Sequence, residues 1–179
     1  MDHELRKRGT SRAMGLYRFR PLAAADLPLL RRWFDEPHVR QWWDDPDNGV
    51  AEIEQAMCDP DTEPFIVLWG DTPIGYQQCY DPHAEADHPY QDQPQGTRGI
   101  DQFIGEPDMI GCGHGSRFIR AFVDGLFAQG APRVVTDPNP ANARAVRAYM
   151  KAGFRPLGER DTMFGRVLLM ACDQPTDPR

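Results

Sequence analysis

The sequence predicts a mixed α/β domain with at least one crossover unit. Two observations carry that class: apolar runs of strand length recur along the whole chain, and in the second half two helically spaced segments lie between such runs. A length of 179 residues, 40% of them hydrophobic, gives one domain enough apolar surface to close a core.

Leu16-Tyr17-Arg18-Phe19-Arg20 alternates apolar and polar side chains and reads as the first strand. Asp26 precedes Pro28 and the run from Leu29 to Phe34, which is a helix start with proline in its first turn; Pro37 stops that helix. A short second helix is expected from His38 to Trp43, a polar connection from Asp44 to Gly49, and a weak third helix from Ala51 to Cys58. Phe65 to Trp69 is a buried-strand run, Gly70-Asp71 is turn chemistry and Ile74 to Tyr80 is the returning strand of a hairpin. Residues 81–96 are rich in Pro, Asp, His and Gln, a loop long enough to be a candidate functional segment. Arg98 to Ile104 resumes a strand. Phe118, Ile119, Phe122, Val123, Leu126 and Phe127 then share one helical face. Val134-Val135 is a short strand, Ala143 to Lys151 a helix ended by Gly153, and Val167 to Ala171 a last strand.

Mean hydropathy is −0.61, and no apolar run approaches the roughly 18 residues of a membrane span. Residues 1–14 are basic and polar and read as a disordered tail, not a secretory signal; 15–173 are expected to form the single domain and 174–179 a flexible tail. Cys58, Cys79, Cys112 and Cys172 are widely spaced without a C-x-x-C pair, so a reduced, cytoplasmic compartment is the simplest expectation. Cys112 reads as a small filler, and His38, His83 and His88 lack ligand spacing, so no metal is expected.

The net charge of −7 is unevenly spread. Residues 1–34 carry eight basic and three acidic groups, residues 35–108 two basic and eighteen acidic, and residues 109–179 ten basic and six acidic. An acidic middle third argues against nucleic acid, which needs clustered Lys and Arg. It suits a cationic ligand, and the basic last third suits an anionic one; solubility alone is the plainer reading.

Gly111, Gly113 and Gly115 alternate directly before an amphipathic helix, leaving bare N–H groups at a helix N-terminus, a ready anion site. No Gly-Lys-Ser/Thr follows, and the last interval of the dinucleotide fingerprint is missing. Downstream, Asn142, Ala145, Tyr149, Gly153 and Phe154 form an Asn-x-x-Ala-x-x-x-Tyr-x-x-x-Gly-Phe helix pattern. With the glycine loop, this pattern resembles the GNAT superfamily of acetyl-CoA-dependent N-acetyltransferases, and all five positions match. The resemblance implies an α/β GNAT fold: a central mixed, largely antiparallel sheet flanked by helices, with acetyl-CoA bound between splayed central strands. It also implies cofactor contacts from Gln102, Phe103 and Ile104, from Ile110, Gly111, Gly113, His114, Gly115, Ser116 and Arg117, and from Asn142, Ala145 and Tyr149.

From Tyr17 to Lys151 the chain looks like bacterial aminoglycoside 6′-N-acetyltransferases of the integron-borne type. Trp42-Trp43, Pro73-Ile74-Gly75-Tyr76, Arg98-Gly99-Ile100-Asp101-Gln102 and Thr136-Asp137-Pro138 carry that likeness. It implies acetyl transfer to a primary amine of a polycationic aminosugar, with Asp101 as general base, Tyr149 as the acid protonating the leaving thiolate, and Trp43, Asp101 and Asp137 as substrate contacts. Tyr90, in the acidic third, is counted with the same acceptor surroundings. One of Trp42 and Trp43 is expected to form an aromatic floor.

The residue types fit that chemistry. An ammonium must lose a proton before it attacks a thioester, which a carboxylate can accept, and a phenol can protonate a thiolate. Plainer readings stand beside these: Tyr149 as a core tyrosine, Asp137-Pro138 as a turn, Asn142 as a helix cap. Two departures matter. Ile110 stands where the superfamily commonly has Gln or Arg, and His88-Pro89-Tyr90-Gln91-Asp92 replaces an aromatic pair followed by acids. Other readings left open are an acyltransferase acting on a siderophore hydroxylamine and a non-catalytic acyl-CoA-binding module. The expected partner is a small cationic amine, with no membrane, and the chain a monomer or homodimer.

Overall fold

The computed structural model describes residues 16–43 and 45–175. The tail expected over 1–14 lies outside the described residues, as do 176–179. Gln174, expected in the C-terminal tail, donates from its backbone to the Pro132 carbonyl at 3.0 Å and from its side chain to the Phe127 carbonyl at 3.2 Å.

Strands β1 (Tyr17–Pro21), β2 (Thr62–Trp69), β3 (Thr72–Tyr80), β4 (Arg98–Ile104), β5 (Arg133–Thr136), β6 (Arg155–Thr162) and β7 (Gly165–Asp173) form one sheet. Its order is β1-β2-β3-β4-β5-β7-β6. Only β4 and β5 run parallel, joined through helix α4 (His114–Ala128), the crossover unit that the sequence predicts. Their ladder holds just two pairs, Arg98 with Val134 and Gly99 with Val135. Beyond Gly99, no partner strand among the described residues lies along that side of β4 and the sheet opens.

Strand alternation sends side chains to two cores. Ile66, Leu68, Tyr76 and Phe103 pack with Trp33 and Phe34 beneath helices α1 (Leu27–Asp35), α2 (Pro37–Arg40) and α3 (Pro46–Ala56). Val67, Ile74 and Ile100 pack with Phe118 and Phe122 of α4 and with Tyr149 of helix α5 (Ala143–Lys151). Along β4, Ile100 belongs to the α4 core and Phe103 to the α1 core, so Asp101 shares a face with Phe103, and Gln102 turns toward α5.

Three local expectations are corrected. Strand β6 was not anticipated: its residues RPLGERDT are mostly exposed and show no apolar alternation, and it is held by its ladder to β7. Helix α3 starts at Pro46, not Ala51, because the Asp45 carboxylate caps it, accepting from the backbone of Asp47 at 3.0 Å and of Asn48 at 3.3 Å. Gly49 is therefore no turn residue; a Cβ there would lie 2.5 Å from the Phe34 ring. The second helix ends at Arg40, and Trp42 and Trp43 follow in a turn whose N–H groups both reach the Val39 carbonyl.

Residues 81–96 form neither helix nor strand, as expected, yet they are pinned. Tyr90 is fully buried against Val135, Leu169 and Ala171, and Arg160 of β6 donates to Asp92 at 2.7 and 3.0 Å and to the Pro89 carbonyl at 3.1 Å.

Candidate active site

The opening beyond Gly99 adjoins two cavities. The larger, about 670 Å³, lies among β3, β4, the end of β5, α3 and the 81–96 loop. Seven carboxylates line it, those of Glu52, Asp59, Asp61, Asp81, Glu85, Asp101 and Asp137. Its one Arg or Lys among the described residues is Arg166, which is paired with Glu159 at 2.6 Å. The smaller, about 260 Å³, runs between β4, the glycine loop and α5. Trp42, Trp43, Gln102, Asn142, Ala145 and Tyr149 line both cavities and form the seam between them.

Asp101 is held by its cross-strand neighbour. Gln78 pairs with it in the β3–β4 register and donates Nε2–H to Asp101 Oδ2 at 2.8 Å. Tyr76 in turn donates to Gln78 Oε1 at 2.7 Å. Burial lifts the Asp101 carboxyl above its ordinary pKa, and the Gln78 hydrogen bond opposes the lift. Asp137, just past β5, is pushed up to about 7 by burial and then by the charge of Asp101, while the hydrogen bond that Tyr90 donates to its Oδ2 pulls the other way. Neither carboxylate has an Arg or Lys partner within ion-pair distance among the described residues.

On the opposite face of β4 the next register pair repeats the device. Gln77 donates to Gln102 Oε1 at 3.1 Å, and Gln102 donates to the Tyr149 hydroxyl. An amide N–H can only donate, so the phenol oxygen accepts and its own proton is left to point elsewhere. Burial raises the Tyr149 pKa well above its ordinary value, Thr136 and Gln102 partly offsetting this, so the phenol keeps its proton at neutral pH.

The smaller cavity has the features of an anion site. Gly111 and Gly113 sit at φ 77° and 80°, left-handed conformations that disfavour a side chain. Gly113 is the N-cap of α4 and no side chain caps that helix, leaving its first-turn N–H groups available. Ile110, Gly111, Gly113, Gly115 and Ser116 line this cavity, with Phe103 and Ile104 from β4. Asn142 lines it while capping α5, its Oδ1 accepting from Ala145 at 3.1 Å, so the cap reading holds and the residue also faces the cavity.

Three residues expected as contacts turn their side chains away from both cavities. His114 is buried, with Nδ1 against the Tyr17 hydroxyl at 2.8 Å, and lines neither cavity. Arg117 also lines neither; its guanidinium lies over Gly113 beside Tyr17. Tyr90 has no exposed surface and meets the acceptor side only through Asp137. Trp42 and Trp43 both face the seam, where one was expected; Trp43 is also braced edge-to-face on Phe103 at 5.0 Å.

Other lining residues escaped the sequence reading. Arg144, Arg147 and Lys151 all line the smaller cavity from α5. Their i, i+3, i+7 spacing, which marks one helix face, was a readable signal. His38 also lines it, its Nε2 at 2.9 Å from the Ile104 carbonyl. Among the described residues no group of three or more His, Cys, Asp or Glu side chains is placed to hold a metal, no helix is long and apolar enough to cross a membrane, and the four cysteines are free.

Comparison with known proteins agrees with this geometry. A profile of the acetyltransferase (GNAT) domain matches residues 23–162. An aminoglycoside N(6′)-acetyltransferase type 1 from Klebsiella pneumoniae is 31% identical over 154 residues, covering 81% of this chain and 77% of the relative. The structure of AAC(6′)-Ib with paromomycin and acetyl-CoA superposes with a TM-score of 0.81 at 30% identity, covering 89% of this chain and 94% of the other. The same enzyme with coenzyme A and kanamycin gives 0.80 at 31% identity, covering 88% and 95%. With the profile covering most of its length and a split sheet of the kind that superposes on acetyl-CoA complexes, the chain belongs to the GNAT acetyltransferase family and is an acetyl-CoA-dependent N-acetyltransferase.

Proposed function

We propose that this enzyme acetylates a primary amine of a small polycationic aminosugar, the 6′-amine of an aminoglycoside, in a reduced, cytoplasmic compartment. The observation that carries the reading is the larger cavity: seven carboxylates against one already paired arginine, directly across the seam from an anion site. Such a surface favours an acceptor with several ammonium groups. The activity of the similar aminoglycoside acetyltransferases supports the same acceptor class.

Acetyl-CoA, when bound, supplies the activated acyl carbonyl and a thiolate leaving group. The α4 N-terminus and Arg144, Arg147 and Lys151 offer its phosphates backbone donors and positive charge. Asp101 holds the acceptor ammonium and takes its proton, which frees the nitrogen lone pair to form the N–C bond. As the C–S bond breaks, Tyr149 gives its proton to sulfur; its oxygen, already accepting from Gln102, is steadied as charge builds there. The proton on Asp101 returns to solvent through the open cavity, and the second proton, shed by nitrogen as the tetrahedral adduct collapses to the amide, passes through solvent to restore the Tyr149 phenol.

Purified protein with acetyl-CoA and kanamycin or tobramycin is expected to release free thiol in proportion to acetylated antibiotic. Thiol release with spermidine or a hydroxylamine but with no aminoglycoside would overturn the acceptor assignment. A second expectation concerns the cations of α5. Arg147→Gln is expected to raise the KM for acetyl-CoA about tenfold with kcat little changed, the signature of lost uniform binding. An unchanged KM removes Arg147 from the phosphate site.

A further inference from the structure

The 81–96 loop has one feature that acceptor binding does not account for. Tyr90 is an aromatic residue in a polar loop, yet it is completely buried, and its hydroxyl is spent on one oxygen of Asp137. The ring is fixed from every side. Val135, Leu169 and Ala171 pack against it, His88 meets it edge-on at 5.1 Å, and the Arg160 guanidinium lies 5.9 Å above it. Arg160 also fastens the backbone before Tyr90 and the side chain after it, at Pro89 and Asp92.

We propose that Tyr90 is a positioning residue for proton removal: its immobilised phenol donates to Asp137 and holds the Asp101–Asp137 pair closer to its ionised form than burial alone would leave it, ready for an ammonium group. This rests on the acetyl-transfer reading above only for its purpose, not for its chemistry.

The choice of a phenol is physically specific. An arginine in this place would hold Asp137 ionised but cancel the charge that attracts the substrate. A phenol stabilises the carboxylate by one hydrogen bond and leaves its charge whole. Burial and the nearby Asp137 charge drive the Tyr90 pKa far up, so this hydroxyl remains a donor throughout the working pH range. Without it, the two acids would repel each other with less compensation and share a proton to higher pH, as paired carboxylates do. Tyr76, Cys79 and Tyr80 on β3, Tyr149 on α5, Arg166 on β7, Arg160 on β6 and His88 in the loop are the other titratable groups about the pair. Of these, burial lowers the His88 pKa, and the Tyr90 backbone donates to its Nδ1 at 3.2 Å, so His88 is neutral and brings no competing charge.

The test reads protonation directly in the full chain labelled with ¹³C at aspartate carboxyls, the Asp137 signal being assigned by its loss in Asp137→Asn. In Tyr90→Phe that signal is expected to titrate at least about one pH unit higher. Site-specific 3-fluorotyrosine at position 90 keeps the shape but donates more strongly, and is expected to move the titration lower. A titration that moves in neither protein overturns the proposal. Should Tyr90→Phe fail to fold, seen as lost acetyl-CoA binding, the fluorinated chain decides by the same criterion. The acid limb of kcat/KM is expected to follow both shifts. Titrations that move as stated, in a protein that acetylates no amine offered, would instead overturn the acceptor reading and leave the role of Tyr90 intact.

Discussion

Asp101→Asn is expected to cut the rate of acetyl transfer by about 100- to 10,000-fold, the range that a positioned general base contributes. The substitution removes the charge and the proton acceptor while keeping the shape. The side-chain oxygen it leaves can still accept from Gln78, so the β3–β4 pairing survives. Asp101 lines the acceptor cavity and not the cofactor cavity, so acetyl-CoA affinity is expected to hold. Steady-state rates over a pH series, beside calorimetric titration with acetyl-CoA, measure both halves. Turnover equal to the unaltered enzyme would deny Asp101 the role of base.

Asp137→Asn is expected to do two opposite things: weaken acceptor binding and stabilise the fold at alkaline pH. The folded carboxyl titrates at about 7, against about 3.9 in an unfolded chain, so between those values the folded state keeps a proton that the unfolded state has released. Stability is thus whole below about pH 4 and declines as pH climbs to 7. The full span corresponds to about 4 kcal/mol; with solvent screening and the coupling to Asp101, about 1–2 kcal/mol is the realistic gain. That converts to a Tm higher by about 2–6 °C at pH 8 and unchanged at pH 4. Thermal scans at the two pH values check it, and equal Tm differences at both would mean that Asp137 carries no buried charge. The KM for the acceptor is expected to rise about tenfold as one ammonium anchor disappears. The site is therefore held at some cost to the fold, which a bound cation offsets.

The comparison of sequence with structure follows physical lines. Strands β1 to β5 and β7 were legible because each has an apolar face to bury, and α4 because six apolar side chains repeat at helical spacing. Strand β6 was invisible because pairing to β7, not burial, holds it, and pairing leaves no pattern in a single strand. The true start of α3 was hidden by Gly49, whose meaning lies in the Phe34 ring packed on it. Asp101 and Tyr149 stood out as parts of motifs. Gln78 did not, because its value comes wholly from standing opposite Asp101 in the ladder, and register between two segments more than twenty residues apart cannot be counted off the chain. Tyr90 was expected among the acceptor's surroundings and is instead a core residue, because whether an aromatic in a polar loop faces a ligand or a core depends on β5 and β7, which are remote in sequence.

The two cavities are built from different kinds of material. Strand β4 and helices α4 and α5 frame the smaller one, whereas much of the outer wall of the larger comes from connecting chain: His88 and Glu85 on the long loop, Phe164 at the tip of the β6–β7 hairpin. Phe164 is 64% exposed and no residue of either core depends on it. Substitutions there can accumulate without unsettling the sheet or the cofactor side. The molecule is thus divided into a half framed by regular elements and a half walled largely by connecting chain, and the two meet at Trp42, Trp43 and Tyr149. A lineage under selection by new amines could explore acceptors through the loop and hairpin tip while inheriting its acetyl donor unchanged.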